Sequence, residues 1–241
     1  MINLLSIVIP YYNRRKLLLN TIESISLYTK DFPIEMVIVD DGSSEEHSIL
    51  DIRELFPNLN INLIVKSDDS KWRTPTDAYN TGFLYSTGDA IMINSSECYH
   101  VGNIIEYVFN KFATNDYLVF AAYMEEKDCI YIIRNDKTKY GVHSSIGNFI
   151  PYCAVISRDN MEKLSGYDER FGRGVGFDDY DFQDRVANLG LNMYVVDDPF
   201  VLHQWHEPTK YINTINHDFL FELRRTHPKR IKAVGNKIYN K

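Results

Sequence analysis

The strongest constraint in this sequence is the alternation of short, β-rich apolar runs with longer amphipathic stretches. Leu4–Pro10 (LLSIVIP) reads as a buried strand that ends at a proline. Arg14–Tyr28 carries Leu17, Leu18, Ile22, Ile25 and Leu27 at mixed three- and four-residue spacing, which predicts an amphipathic helix. Pro33–Asp40 is a second buried strand. It breaks at Asp41-Gly42-Ser43-Ser44, a turn whose side chains can cap a helix over Glu45–Phe56. Ile61–Lys66 and Ala90–Asn94 are the third and fourth strands, with helices over Pro75–Ser86 and Asn103–Phe112. Strands alternating with helices of about 10–15 residues mean βαβ units and an α/β fold with a mostly parallel sheet. Further on, Tyr117–Met124, Cys129–Arg134, Tyr152–Ser157 and Asn192–Val196 read as strands, Phe182–Leu189 as a helix, and polar Asn135–Asn148 as a mobile loop.

In a chain of 241 residues one core can bury most of the apolar surface. With 44% hydrophobic and 24% charged residues, collagen-like and disordered classes are excluded. The net charge of −7 argues against a nucleic-acid partner, since duplex binding rests on neutralising phosphates. Cys98, Cys129 and Cys153 are odd in number and form no CxxC pair, so reduced thiols in a cytoplasmic setting are expected. The N-terminal apolar run is shorter than the roughly 20 residues of a bilayer span. It also lacks the basic region and cleavage site of a signal peptide, and no other stretch suits a transmembrane segment. Charge is uneven: Glu222–Lys241 holds seven Lys/Arg and one acid. That pattern marks a basic helical extension over residues 222–241, after a main domain over 1–221. It would pack on an acidic body, or turn toward an anionic membrane surface or an anionic acceptor.

A doubly wound sheet binds its ligand at the carboxyl ends of its strands. The usual phosphate loops are missing: no GxGxxG follows the first strand, and no GxxxxGK followed by Ser or Thr exists. Gly172, Gly174 and Gly176 form GxGxG, but no strand precedes them. Phosphate charge must be met otherwise, most simply by a metal on carboxylates. SIVIPYYNR at Ser6–Arg14, VIVDDGSS at Val37–Ser44 and AYNTGFLYSTGD at Ala78–Asp89 resemble the signature blocks of glycosyltransferase family 2, enzymes of the single-domain GT-A fold. GYDERFGRGVGFDDYDFQDRV at Gly166–Val186 resembles the family's acidic block. VLHQWHEP at Val201–Pro208 is similar to the His-containing segment of chondroitin-polymerase-type and galactosyltransferase-type enzymes. The blocks stand in the family order, which implies a nucleotide-sugar half over about 1–100 and an acceptor half over about 101–221.

The resemblance also implies roles. Pro10 and Tyr12 fall where family members touch base and ribose; Tyr11 and Tyr12 alternate, and one of them is expected to stack on a pyrimidine. Asp41 matches the acid that accepts a pyrimidine N3–H, and Asp before Gly also suits a turn. Tyr79 stands where the family usually has Arg, leaving Lys71 or Arg73 to meet the diphosphate. The family's D-x-D falls on Ser95-Ser96-Glu97. Ser95 would bond a ribose hydroxyl, and Glu97 would ligate a divalent cation with His203, or His206 in its place. An imidazole ligand favours Mn2+ over Mg2+. Asp178 and Asp179 match the acidic catalytic pair, with Asp179 as base and Asp178 on the acceptor, while Asp181 and Asp184 look like helix-start acids.

The expectation is therefore a single-domain, inverting GT-A glycosyltransferase. Its donor is a nucleotide diphosphate sugar, UDP-linked, and its acceptor is a hydroxyl of a saccharide or glycan. The degenerate metal motif also fits a nucleotide-sugar-binding protein without turnover. A nucleotidyltransferase would need a Gly-rich basic loop, which Tyr11-Tyr12-Asn13 does not supply.

Overall fold

The computed structural model describes residues 2–67, 74–127, 130–132, 151–207, 215–234 and 236. In chain order the first half runs β1 (Leu5–Tyr11), α1 (Arg15–Ser26), β2 (Ile34–Asp40), α2 (Ile52–Leu55), β3 (Ile61–Val65), α3 (Pro75–Tyr85) and β4 (Ala90–Asn94). The second half runs β5 (Cys98–Val101), α4 (Ile104–Lys111), β6 (Asp116–Glu125), β7 (Ile130–Ile132), β8 (Cys153–Ser157), α5 (Arg158–Leu164), α6 (Asp178–Leu189), β9 (Asn192–His203) and α7 (Ile215–Thr226). One sheet has the order β3-β2-β1-β4-β8-β6-β9-β5, with β7 paired to β6. Its first four strands are parallel, as the alternation predicts. β8 then runs antiparallel to β4 and β6, β9 returns parallel to β6, and β5 closes the edge antiparallel to β9.

Both faces of the parallel half are covered, which is why its strands read as continuous apolar runs. On one face Leu5, Ile7 and Ile9 pack with Leu18, Ile22 and Ile25 of α1. On the other, Val8, Val37 and Val39 pack with Ala78, Tyr79 and Phe83 of α3. Pro10 costs the sheet no bond to β4, because β1 pairs with β4 only from Leu5 to Val8.

Several expected elements take other forms. The helix over Glu45–Phe56 is broken into a short 3-10 turn at Glu45–His47 and the single turn of α2. The carbonyls a continuous helix would use are taken from outside: Tyr11 donates to the His47 carbonyl at 2.6 Å, and Arg15 bonds the Ser48 carbonyl and Asp51. β9 extends past Val196 to His203 because it gains a second partner in β5, a strand too short to show a period in the sequence. α6 begins at Asp178, one turn before the expected Phe182. Among the described residues the basic terminal segment is helical only to Thr226, since residues just before Pro228 are disfavoured in a helix. α7 also runs through position 222, where the charge changes. Arg224 pairs with Asp184 at 2.7 Å and Arg230 with Asp168 at 2.6 Å, so these bases are held on the acidic body. Asn135–Asn148 and Cys129 lie outside the described residues; Cys98 and Cys153 are buried free thiols. No helix among the described residues is long and apolar enough to cross a membrane.

α3 approaches β1 so closely that a Cβ at Gly82 would lie 2.3 Å from Val8 Cγ1. Helix propensity alone would favour Gly82→Ala by up to about 1 kcal/mol. Overpacking a stiff, buried valine costs about 1–3 kcal/mol and prevails. The variant is expected to unfold at lower urea concentration than wild type.

Candidate active site

β1, β2, β4 and β9 point the same way, so Tyr11, Asp40, Asn94 and His203 end on one edge of the sheet. The residues expected at the nucleotide gather there. Tyr12, just past β1, is 40% exposed. Asp40 is buried, and its Oδ1 accepts the Ser43 amide at 2.9 Å, shaping the turn after β2. Asp41 is held by Lys66 Nζ at 2.7 Å, and Lys66 also bonds Asp77. Lys66 was legible only as the last residue of an expected strand; its reach to Asp41 depends on the pairing of β3 with β2. Arg73 and Lys71 lie outside the described residues. Tyr79, in place of an arginine, does not line the edge: it is buried and stacks on Tyr167 at 5.2 Å between centroids. Neighbouring Asn80 bonds the backbone of Tyr167 through both ends of its amide, at 2.9 and 2.8 Å.

Past β4, Ser95 and Glu97 meet His203, because β5 pairs Cys98 with His203 and Gln204 N donates to the Glu97 carbonyl at 2.9 Å. Glu97 Oε1 accepts from Arg14 Nη1 at 2.6 Å, and Glu97 Oε2 accepts from the Ser95 hydroxyl. Arg14 Nη1 also lies 3.2 Å from His206 Nε2. Burial opposes ionisation of Glu97. The charge of Arg14, the bonds from Ser95 and Arg14, and His203 outweigh it and hold the carboxyl below the ordinary glutamate range. His203 packs on Tyr152 at 4.5 Å and on His206 at 5.2 Å. Burial pushes its pKa down to about 4, against the pull of Glu97 and with the help of His206 and Arg14, so the ring is neutral at pH 7.

The sequence thus brings together the expected ligands Glu97, His203 and His206, but around a guanidinium. Both oxygens of Glu97 are engaged, and among the described residues no three His, Cys, Asp or Glu side chains form a group able to hold a metal ion. As arranged, the donor set does not fit a divalent cation. Arg14 closes the SIVIPYYNR block, and its place directly after β1 was the only signal for it in the sequence.

The acidic pair lies at the first turn of α6, where the helix dipole favours negative charge. Asp178 is buried, and its Oδ2 finds no hydrogen-bond partner among the described residues. Burial pushes its pKa up to about 6, opposed by backbone amides. Asp179 accepts from the Tyr167 hydroxyl at 3.3 Å. Burial and the adjacent Asp178 raise its pKa well above the usual carboxylate range, and the Tyr167 bond only partly offsets them. The buried Tyr79 phenol is itself raised, by burial first and then by Asp179, Cys98, Glu97 and Asp178, so one aromatic stack lies within electrostatic reach of both acidic groups.

The residue pattern of glycosyl transferase family 2 matches residues 6–165. The chain belongs to glycosyl transferase family 2. Over 176 residues this family 2 chain is 29% identical to the glycosyltransferase GlyG of Streptococcus pneumoniae serotype 4, covering 73% of this chain and 52% of that one. Over 114 residues it is 32% identical to YwdF, an uncharacterized glycosyltransferase of Bacillus subtilis, covering 47% and 40%. The chain spans about half the length of the curated relatives it matches. Among solved structures, the mannosyltransferase PcManGT of Pyrobaculum calidifontis, in complex with GDP-Man and Mn2+, matches with a TM-score of 0.62 at 19% identity, over 93% of this chain and 61% of that one. TarS of S. aureus in complex with UDP-GlcNAc matches with a TM-score of 0.65 at 16% identity, over 92% and 64%. These likenesses establish the GT-A-like α/β fold. The family match ends before α6, so the acidic pair and His203 lie beyond it.

A raised carboxyl binds its proton more tightly folded than unfolded, so the native state loses stability as pH rises from the unfolded value near 4 through about 6. Asp178→Asn removes this buried charge. It is expected to stabilise this family 2 chain at pH 7 by about 1–3 kcal/mol and to flatten the fall in stability across that window, as read by urea titrations at pH 4 to 7.

Proposed function

We propose that this family 2 enzyme transfers a sugar from a UDP-linked donor to a saccharide hydroxyl, with inversion, using Asp179 as base. The observation that carries the reading is the Asp178–Asp179 pair at the start of α6, buried at Asp178 and half-buried at Asp179, whose raised affinity for protons suits a general base. Asp41 is the base reader in this reading, and Tyr12 the ring that stacks on the pyrimidine. The acceptor oxygen attacks the anomeric carbon from the face opposite the diphosphate. The new C–O bond forms as the old one breaks, its electron pair leaves on the diphosphate oxygen, and the hydroxyl proton passes to Asp179. Tyr167 positions Asp179 through its hydroxyl. Asp178, charged at pH 7, keeps the proton affinity of Asp179 high. No step runs through Mn2+ or Mg2+ on Glu97 and His203, since Arg14 already holds Glu97.

Incubation with a panel of nucleotide sugars and saccharide acceptors tests the transfer itself; release of no nucleotide from any donor overturns it in favour of a binding protein. Asp179→Asn keeps the shape of the side chain but removes the proton acceptor. Transfer by this variant is expected to fall by about 10²–10⁴-fold while UDP affinity changes by less than about threefold. In Asp41→Ala, calorimetry is expected to show UDP binding weakened by about 1.5–3 kcal/mol, the range for a hydrogen bond to a charged group.

A further inference from the structure

We infer that Arg14 is the cation that meets the donor's diphosphate, and that this site binds its nucleotide without a divalent metal; the inference rests on the nucleotide-sugar reading above. Three observations converge on this side chain. Its guanidinium lies within 2.6 Å of Glu97 and 3.2 Å of His206, two of the residues that would otherwise hold a metal. A divalent cation on Glu97 would lie against this guanidinium and be repelled by it, since the two positive charges would share one carboxylate. Arg14 also makes its described hydrogen bonds through Nη1 only. Its Nε and Nη2 remain for an anion, in the planar arrangement that suits phosphate oxygens.

The surroundings agree with that use. The Arg14 side chain is 30% exposed, so its free edge can be reached from solvent. It lines an open cavity of about 470 Å3 that it shares with Arg15, Lys16 and His47. Arg15 is spent on Asp51 and the Ser48 carbonyl, and of the three bases lining this space Arg14 is the one bonded to Glu97 beyond β4. The Ser95 hydroxyl holds the second oxygen of Glu97, so that carboxylate serves as an anchor that fixes the guanidinium. In the transfer step the electron pair released from the anomeric C–O bond settles on the diphosphate, and a fixed guanidinium beside it supplies the stabilising charge.

The test is calorimetry of the full chain with UDP, UMP and uridine, in excess EDTA and again in Mn2+. Wild type is expected to bind UDP equally in the two media, within about twofold, and more tightly than UMP. Arg14→Ala should weaken UDP by about 10–100-fold in EDTA and lose its preference over UMP, with uridine unchanged. Arg14→Lys should recover part of the loss, since the charge is kept and the planar fork is not. UDP binding by wild type that requires Mn2+ overturns the role of Arg14 and leaves the nucleotide reading standing. So does an Arg14→Ala variant that binds UDP normally in EDTA. Absence of UDP and uridine binding in both media overturns both. If Arg14→Ala does not fold, Arg14→Lys decides the role of Arg14, since UDP affinity and preference over UMP equal to wild type overturn it, and the wild-type comparison of EDTA with Mn2+ decides the metal.

Discussion

The site depends on how β1 is clamped between its neighbours. Two carboxylates do this at the end of the sheet away from the ligand. Asp89 accepts the backbone amides of Asn3 and Leu4 at 2.9–3.1 Å, fixing where β1 begins. Buried Glu35 gathers the Ser6 hydroxyl at 2.6 Å with the amides of Thr87 and Gly88, tying β2, β1 and the approach to β4 at one point. A Cβ at Gly88 would meet the Leu4 carbonyl at 2.5 Å, so the closeness of the clamp requires glycine. Every residue at the other end of these strands inherits its position from this register, because a slip of one residue would turn each side chain to the opposite face.

The second half is organised by buried charge. Arg185 has almost no exposed surface and pairs with Asp181 at 2.8 Å, while also donating to the carbonyls of Leu164 and Gly166. Asp168 is bound by both Arg170 and Arg230 at 2.6 Å. This network pins α6 and the segment after α7 to the body. Breaking one partner of such a pair leaves an uncompensated buried charge, a cost of about 3–5 kcal/mol. Set against it, Asp178 and Asp179 at the start of the same helix pair with no arginine among the described residues. Four acids within the first two turns of α6 thus divide into structural ones that are neutralised and a pair that is left protophilic.

The parallel half was legible because its strands are buried on both faces and its helices carry a regular apolar stripe. β1, β2 and β4 fall within a residue or so of their expected bounds for this reason. The Glu45–Phe56 segment was not, since its pattern is helical and only the distant side chains of Tyr11 and Arg15 break it. β5 has four residues and exists through its pairing with β9. At the site, the sequence placed Asp41, Glu97, His203 and the acidic pair near the ends of their elements. It was silent on Lys66 beside Asp41 and on Tyr167 beside Asp179, because contacts across 25 and 12 positions leave no local periodicity.

By itself the sequence determined the α/β class, the order of the parallel strands' segments, the family, and which residue types stand at the carboxyl ends of β1, β2 and β4. These follow from local patterning and from motifs, which are properties of neighbours along the chain. The tertiary structure decided what those residues face. It set Tyr79 into an aromatic stack, raised the affinity of Asp179 for its proton by partly desolvating it beside Asp178, and set Arg14 on Glu97 from 83 positions away. Electrostatic environment is a sum over everything nearby in space, and only the folded chain specifies that set.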